Sequence, residues 1–164
     1  MKSEVSVDDI TKTSDPEFRL RMMRKVIETV KSEGSLHMPL LSLVSTFLDG
    51  LAAGGPAGTK AAYLDYLQAH FPDLCAALGA EIFYSKYRSA AVHEFSIKKG
   101  FGINRDSKMP GEYCGTTTVR ETGQELTILN IDRLVEEFLA HVRALEKKAG
   151  VGGTEPAPSL TVFE

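Results

Sequence analysis

The sequence predicts a mainly α-helical protein: an antiparallel helical bundle of about five helices, with a small β-hairpin before the last helix. Three observations support this fold class. Apolar residues recur at three- and four-residue spacing over most of the chain. Short glycine- or proline-rich segments separate the early helical stretches, which favours antiparallel neighbours. Two short β-prone segments flank a polar turn near position 122. The length of 164 residues suits one domain with a core of ordinary size.

Typical capping residues mark the predicted helix boundaries. Asp15 followed by Pro16 is characteristic of a helix start, and Gly34 is a typical stop. Thr59 and Asn130 each precede an apolar periodic stretch and can accept a hydrogen bond from the first turn. The predicted helices span about 16–33, 39–53, 60–70, 73 or 80 to 94, and 131–148.

The segment between the fourth and the last helix has no helical period. Five glycines and one proline lie within 100–123, which is typical of a loop. Within it, Thr117–Arg120 and Leu126–Leu129 flank Glu121-Thr122-Gly123-Gln124, and this pattern predicts the hairpin. The domain boundaries that follow are a mobile N-terminus (1–14), a helical domain (15–149) and a flexible C-terminal tail (150–164).

Charge and composition exclude several functional classes. A net charge of −3 excludes a protein that holds nucleic acid through bulk positive charge, although it allows a local basic site. The most apolar run, Pro39–Ala53, is shorter than the roughly 20 residues that cross a bilayer. The two cysteines, Cys75 and Cys114, form no disulfide framework, and no His or Cys pair has zinc-ligand spacing. We therefore expect a cytoplasmic protein without membrane span, metal or cofactor.

The fourth helix carries the side chains best suited to catalysis or ligand binding. On a helical wheel of about 100° per residue, Phe83 and Tyr87 fall on the core face. Arg88 and His93 fall about 140° apart on the other side. Polar or charged neighbours accompany them on the same helix: Tyr84, Ser85, Lys86 and Ser89.

This set of residues suits phosphodiester chemistry. An Arg offers a planar fork of donors to phosphate oxygens, and a His exchanges protons near neutral pH. Two imidazoles are needed to take a proton from a 2′-hydroxyl and to protonate the leaving oxygen, so a symmetric homodimer would supply the second. From spacing alone, a solvent-exposed helix face that happens to contain Arg and His is the more frequent alternative.

Asp49 allows two interpretations, because it lies in the apolar second helix. A buried carboxylate requires a partner, whereas a carboxylate at the wet end of a helix does not. Since charged residues are rarely buried without a partner, the sequence favours the wet end.

The segment Arg88-Ser-Ala-Ala-Val-His93 is an R-x-x-x-x-H motif late in a helical domain, and it resembles the motif of the HEPN superfamily (higher-eukaryote and prokaryote nucleotide-binding domains). Residues 83–87 resemble the aromatic lead-in to its Arg, and residues 41–51 resemble its early helix with an Asp. The resemblance covers about 16–148, with the specific part at 82–95.

This resemblance implies a helical bundle that dimerises with the two motifs facing each other. It also implies metal-independent endoribonuclease activity, which many members have as toxins with antitoxin partners or as defence proteins. Arg88 and His93 match the catalytic pair, and Ser85, Ser89, Tyr84 and Lys86 would support it. Ser89 stands where active members usually carry Asn, Asp or His, and this departure favours the alternative of a non-catalytic dimerisation or nucleotide-binding module. In that module Tyr84 and Tyr87 would serve as packing or base-stacking groups.

Positive charge is concentrated around the motif. Residues 86–108 carry six Lys or Arg against two acidic residues. We predict RNA contacts from Lys98, Lys99 and Arg105, with an ordinary solvated loop as the alternative.

Overall fold

A computed structural model describes residues 15–53, 59–94, 96–105 and 111–149. Over these ranges the protein is mainly helical and has a small three-stranded sheet, so the predicted fold class is confirmed at that level. The predicted N-terminus (1–14) and C-terminal tail (150–164) lie outside the described residues. No helix in the described ranges is both long and apolar enough to cross a membrane.

The helix starts agree with the capping residues in the sequence. The Asp15 side chain accepts from the amide of Glu17 at 3.0 Å, and Thr59 accepts from the amide of Ala62 at 3.2 Å. Each pairing satisfies an amide of the first turn that has no partner within the helix. The helices are α1 (Pro16–Ser32), α2 (His37–Ala53), α3 (Lys60–His70), α4 (Pro72–Ala77), α5 (Ala80–Ile82), a π-helical segment (Phe83–Arg88), α6 (Ser89–His93) and α7 (Ile131–Lys148).

Gly79 separates α4 from α5. Its φ of 89° lies in the left-handed region, which glycine adopts without steric cost. Both starts considered for the fourth helix therefore exist, one at Pro72 and one at Ala80.

The sheet contains one strand more than the sequence predicts. Its strands are β1 (Phe101–Asn104), β2 (Cys114–Thr118) and β3 (Glu125–Asn130), in the order β1-β3-β2. β2 pairs antiparallel with β3. β3 contains the predicted segment Leu126–Leu129, whereas β2 begins three residues before the predicted Thr117–Arg120 and overlaps it at Thr117 and Thr118. β1 pairs parallel to β3 within the segment predicted as loop, so that part of the loop prediction is wrong.

Glycine at 102 contributes to the weak signal in the sequence of β1. A Cβ at this position would come within 2.8 Å of the Ile128 Cδ1, a terminal methyl that a change of rotamer can move away. A four-residue strand with a glycine inside is too short to show alternating hydrophobicity.

One hydrophobic core joins the helices to the sheet. α1 packs against α2 and α7, while α2 also packs against α3, α6 and the π-helical segment. Large, fully buried side chains come from α1, α2, α3, the π-helical segment, β3 and α7, and α6 adds two buried alanines. The large ones include Ile27, Leu40, Leu41, Leu48, Tyr63, Leu67, Phe83, Tyr87, Leu129 and Phe138. The π-helical segment is therefore held from both sides, by α2 and by the sheet.

Candidate functional site

Arg88 and His93 are in contact where the π-helical segment ends and α6 follows it. The amide of Ser89 donates to the carbonyl of Tyr84, five residues back, which is the bond that defines a π-turn. Arg88 Nη1 lies 3.3 Å from His93 Nε2. Residues 89–93 are α-helical, so the separation of about 140° around the helix axis stays a prediction, and the long Arg88 side chain makes the contact. Single π-turns within helices frequently occur at functional sites.

Asp49 of α2 fixes the other edge of the Arg88 guanidinium. Arg88 Nε donates to Asp49 Oδ2 at 3.0 Å, and Arg88 Nη2 donates to the same oxygen. The side chains are 14% and 27% exposed, so this ion pair is less screened than an ordinary surface pair. Asp49 lies near the C-terminal end of α2 and is partly exposed, as favoured from the sequence, but it also has a partner that the sequence did not identify.

The bond between Arg88 and His93 determines the tautomer of the imidazole. A guanidinium only donates, so His93 Nε2 accepts in this contact. The ring that makes this bond is neutral, with its proton on Nδ1. His93 is exposed at the end of α6, and its Nε2 lone pair, which accepts from Arg88 here, becomes available for general-base catalysis only when Arg88 turns away from it.

Aromatic rings surround the guanidinium. The Cζ of Arg88 lies 5.0 Å from the ring centroid of Tyr84 and 5.8 Å from that of Tyr63. The two tyrosines meet edge to face at 5.3 Å. Lys60, ion-paired with Glu81, also lies over the Tyr84 ring at 5.5 Å. Tyr84 is thus already in contact with two cations, and a nucleobase that stacks on it must compete with them.

The remaining motif residues are placed differently. The Ser85 hydroxyl donates to the carbonyl of Glu81 at 2.8 Å, within its own helix. Ser89 is half-buried next to Arg88. The ammonium of Lys86 lies 5.9 Å from the Phe101 ring, on the side of the sheet.

Tyr87 is fully buried, and this excludes it as a base-stacking surface. Its hydroxyl donates to the carbonyl of Thr127 at 2.9 Å, and its ring contacts Phe83 and Phe101. Of the two roles considered for Tyr87, packing is confirmed and base stacking is wrong.

The predicted RNA-contacting residues do not form one group. Lys98 is ion-paired with Glu94 and lowers the pKa of that carboxyl, while Lys99 is exposed. Arg105 donates to Asp132 at 2.8 Å and to the carbonyl of Gly34 at 3.4 Å. Arg105 therefore ties the end of β1 to α7 and to the α1–α2 connection. Lys98 and Lys99 are the basic residues that lie at the surface just after the motif.

A second group of titratable side chains lies between α3 and α7. The Tyr66 hydroxyl is 2.6 Å from His141 Nε2, and the rings of His70 and Phe71 contact His141. Burial lowers the pKa of His141 to about 4, with the charges of His70 and Lys148 adding to the effect. Burial also raises the pKa of Tyr66 to about 12. In the described ranges no group of three or more His, Cys, Asp or Glu side chains is arranged to hold a metal ion.

The depressed pKa of His141 predicts acid sensitivity. Between about pH 6.5 and pH 4 the unfolded chain binds a proton at His141 that the folded protein does not. The free energy of unfolding therefore decreases as the pH falls through this range. We expect the wild type to lose on the order of 1–2 kcal/mol more than His141→Phe between pH 7 and pH 4.

Urea unfolding at several pH values measures this difference. The comparison with His141→Phe is needed because burial raises the pKa of Glu137 to about 7, and that group acts in the opposite direction. Equal pH dependence in the two proteins would show that His141 is protonated as readily in the folded state as in the unfolded state.

Comparisons of this chain with protein-family models, with curated proteins and with solved structures find no match. The chemistry of the site therefore has to be inferred from the Arg88–His93–Asp49 geometry and from the motif that carries it.

Proposed function

We propose that this protein is a metal-independent endoribonuclease of the HEPN type that acts as a homodimer, with Arg88 and His93 as its catalytic residues. The contact that carries the proposal is the one between Arg88 Nη1 and His93 Nε2 at 3.3 Å. It joins a phosphate-binding cation to a neutral, exposed imidazole. Asp49 supports the proposal because it orients the guanidinium from the opposite edge.

The reaction is a transfer within the RNA backbone. His93 Nε2 takes the proton of a 2′-hydroxyl, and the 2′-oxygen forms a bond to the adjacent phosphorus. The bond from phosphorus to the 5′-oxygen breaks, and that oxygen leaves with a proton. The products are a 2′,3′-cyclic phosphate and a 5′-hydroxyl. Arg88 stabilises the negative charge that builds up on the phosphoryl oxygens.

The leaving oxygen requires a protonated group, and this supports a dimer. His93 is the one imidazole in contact with Arg88 among the described residues. A two-fold axis near His93 would bring the same residue from a second chain to the other side of the phosphate. The RNA substrate and an antitoxin partner belong to this proposal through the HEPN resemblance. The RNA backbone would contact the exposed Lys99, and also Lys98 once it exchanges Glu94 for a phosphate.

A non-catalytic role is the second candidate, and a specific observation favours it. Two nitrogens of the Arg88 guanidinium donate to Asp49, which ties the π-helical segment to α2 without any ligand. Together with Ser89 after the motif Arg, this contact suits a dimerisation or nucleotide-binding module in which Arg88 is structural.

An RNA cleavage assay in EDTA separates these two functions. We expect the purified protein to cleave single-stranded RNA with the chelator present, and His93→Ala to lower the rate by about 10²- to 10⁴-fold, the range for loss of a general acid or base. His70→Ala is the matched control, because His70 is exposed and contacts Tyr66 and His141 instead of Arg88. Cleavage that persists in His93→Ala would contradict the catalytic assignment, and a wild type without cleavage would favour the module.

A further inference from the structure

Tyr63 of α3 has a buried hydroxyl without a hydrogen-bond partner among the residues that the structure describes. The residue is 2% exposed. Burying a phenol O–H without a partner costs free energy, and phenylalanine would fill the same space without that cost. The hydroxyl is therefore unfavourable in the ligand-free arrangement and needs an explanation.

The neighbours of Tyr63 are the groups of the candidate site. Its ring lies 5.8 Å from the Arg88 guanidinium and 5.3 Å from the Tyr84 ring. Burial raises the pKa of the Tyr63 hydroxyl well above its usual value; the negative charge of Asp49 adds to the effect, and the positive charge of Arg88 opposes it. The unpartnered O–H thus lies within the electrostatic reach of the Asp49–Arg88 pair.

A phosphate at this site changes the hydrogen bonding of Asp49. In the ligand-free protein, Asp49 Oδ2 receives Nε and Nη2 of Arg88. A phosphate competes for the same donors, because Arg binds phosphate through two parallel N–H groups. The partly buried carboxylate of Asp49 then loses much of the positive charge that compensated it. This loss is unfavourable unless another hydrogen-bond donor replaces the guanidinium.

We propose that Tyr63 is a positioning residue whose hydroxyl donates to Asp49 when a substrate phosphate draws the Arg88 guanidinium away. Tyr63 acts through Asp49 and Arg88 and does not touch the substrate. A donor held in reserve near the Arg88–Asp49 ion pair lowers the cost of releasing Arg88 to the phosphate. This inference rests on the proposed function, since it requires an RNA phosphate at Arg88.

The substitution Tyr63→Phe tests the proposal, with Tyr66→Phe as the matched control on the same helix. Tyr66 has a partner in the free protein, His141 at 2.6 Å, so its hydroxyl is structural. The probe is a single-stranded oligonucleotide with 2′-O-methyl groups, which binds but is not cleaved, and the cleavable RNA is assayed in parallel. For Tyr63→Phe we expect Kd and KM to rise about five- to tenfold, with kcat within about twofold and Tm unchanged or higher. For Tyr66→Phe we expect a lower Tm and unchanged Kd and KM.

Each outcome decides between the hypotheses. If the wild type binds and cleaves RNA but Tyr63→Phe has the same Kd and KM, the role of Tyr63 is wrong and the proposed function stands. If Tyr63→Phe lowers Tm as much as Tyr66→Phe does, the hydroxyl already has a partner in the free protein, and the proposal is also wrong. If the wild type neither binds the probe nor cleaves RNA, the proposed function fails and the role of Tyr63 fails with it.

Discussion

Replacement of Arg88 by alanine is expected to lower kcat/KM for RNA cleavage by about 10²- to 10³-fold, the loss seen when one donor to a developing oxyanion is removed. Arg88 is the cation that lies 3.3 Å from His93, so its loss removes charge stabilisation next to the proton acceptor. Steady-state cleavage in EDTA measures the effect. Retention of more than about half of the wild-type rate by Arg88→Ala would rule out its catalytic role.

The same substitution also affects stability, and this has to be separated from catalysis. Without Arg88, the partly buried carboxylate of Asp49 has lost its cation, at a cost on the order of 1–2 kcal/mol. The variant Arg88→Lys keeps the positive charge near Asp49 but lacks the planar fork. We expect Arg88→Lys to recover most of the stability measured by urea unfolding and little of the cleavage rate.

The helical part of the fold follows from local signals in the sequence. Asp15, Thr59 and Asn130 each cap a helix through a bond to an amide two or three residues away, and such short-range chemistry is visible without a structure. β1 is different because its pairing with β3 depends on residues 26 positions away, such as Phe101 with Thr127. Local hydrophobic periodicity carries no information on such a long-range contact.

In the candidate site, too, some features are visible in the sequence and others depend on tertiary packing. Arg88 and His93 stand out in the sequence because they are five residues apart in one helix. Their direct contact was missed because it depends on the conformation of the long Arg88 side chain, which a helical wheel does not describe. Asp49 and Tyr63 were missed as partners of Arg88 because they come from α2 and α3, which only tertiary packing brings to the guanidinium. One signal in the sequence could have identified Asp49 as a partner: it is a carboxylate within the most apolar predicted helix.

Replacement of Tyr87 by alanine is expected to destabilise the protein by about 3–5 kcal/mol, the usual cost of truncating a buried aromatic residue. Tyr87 is fully buried in the π-helical segment. Its ring contacts Phe83 and Phe101, and its hydroxyl reaches the carbonyl of Thr127 on β3. Truncation leaves a cavity between the segment and the sheet and removes the hydrogen bond to the Thr127 carbonyl, and urea unfolding measures the loss of stability.

The variant Tyr87→Phe separates packing from any contact with RNA. It keeps the ring and loses the hydroxyl, so we expect a destabilisation of about 1 kcal/mol and unchanged RNA binding. If Tyr87→Ala stays as stable as the wild type while RNA binding is lost, Tyr87 is a contact surface and its buried placement is wrong. Tyr87 packs the π-helical segment against β3, and Arg88 is the last residue of that segment. A destabilised Tyr87→Ala is therefore also expected to lose cleavage below its unfolding midpoint, whereas Tyr87→Phe retains it.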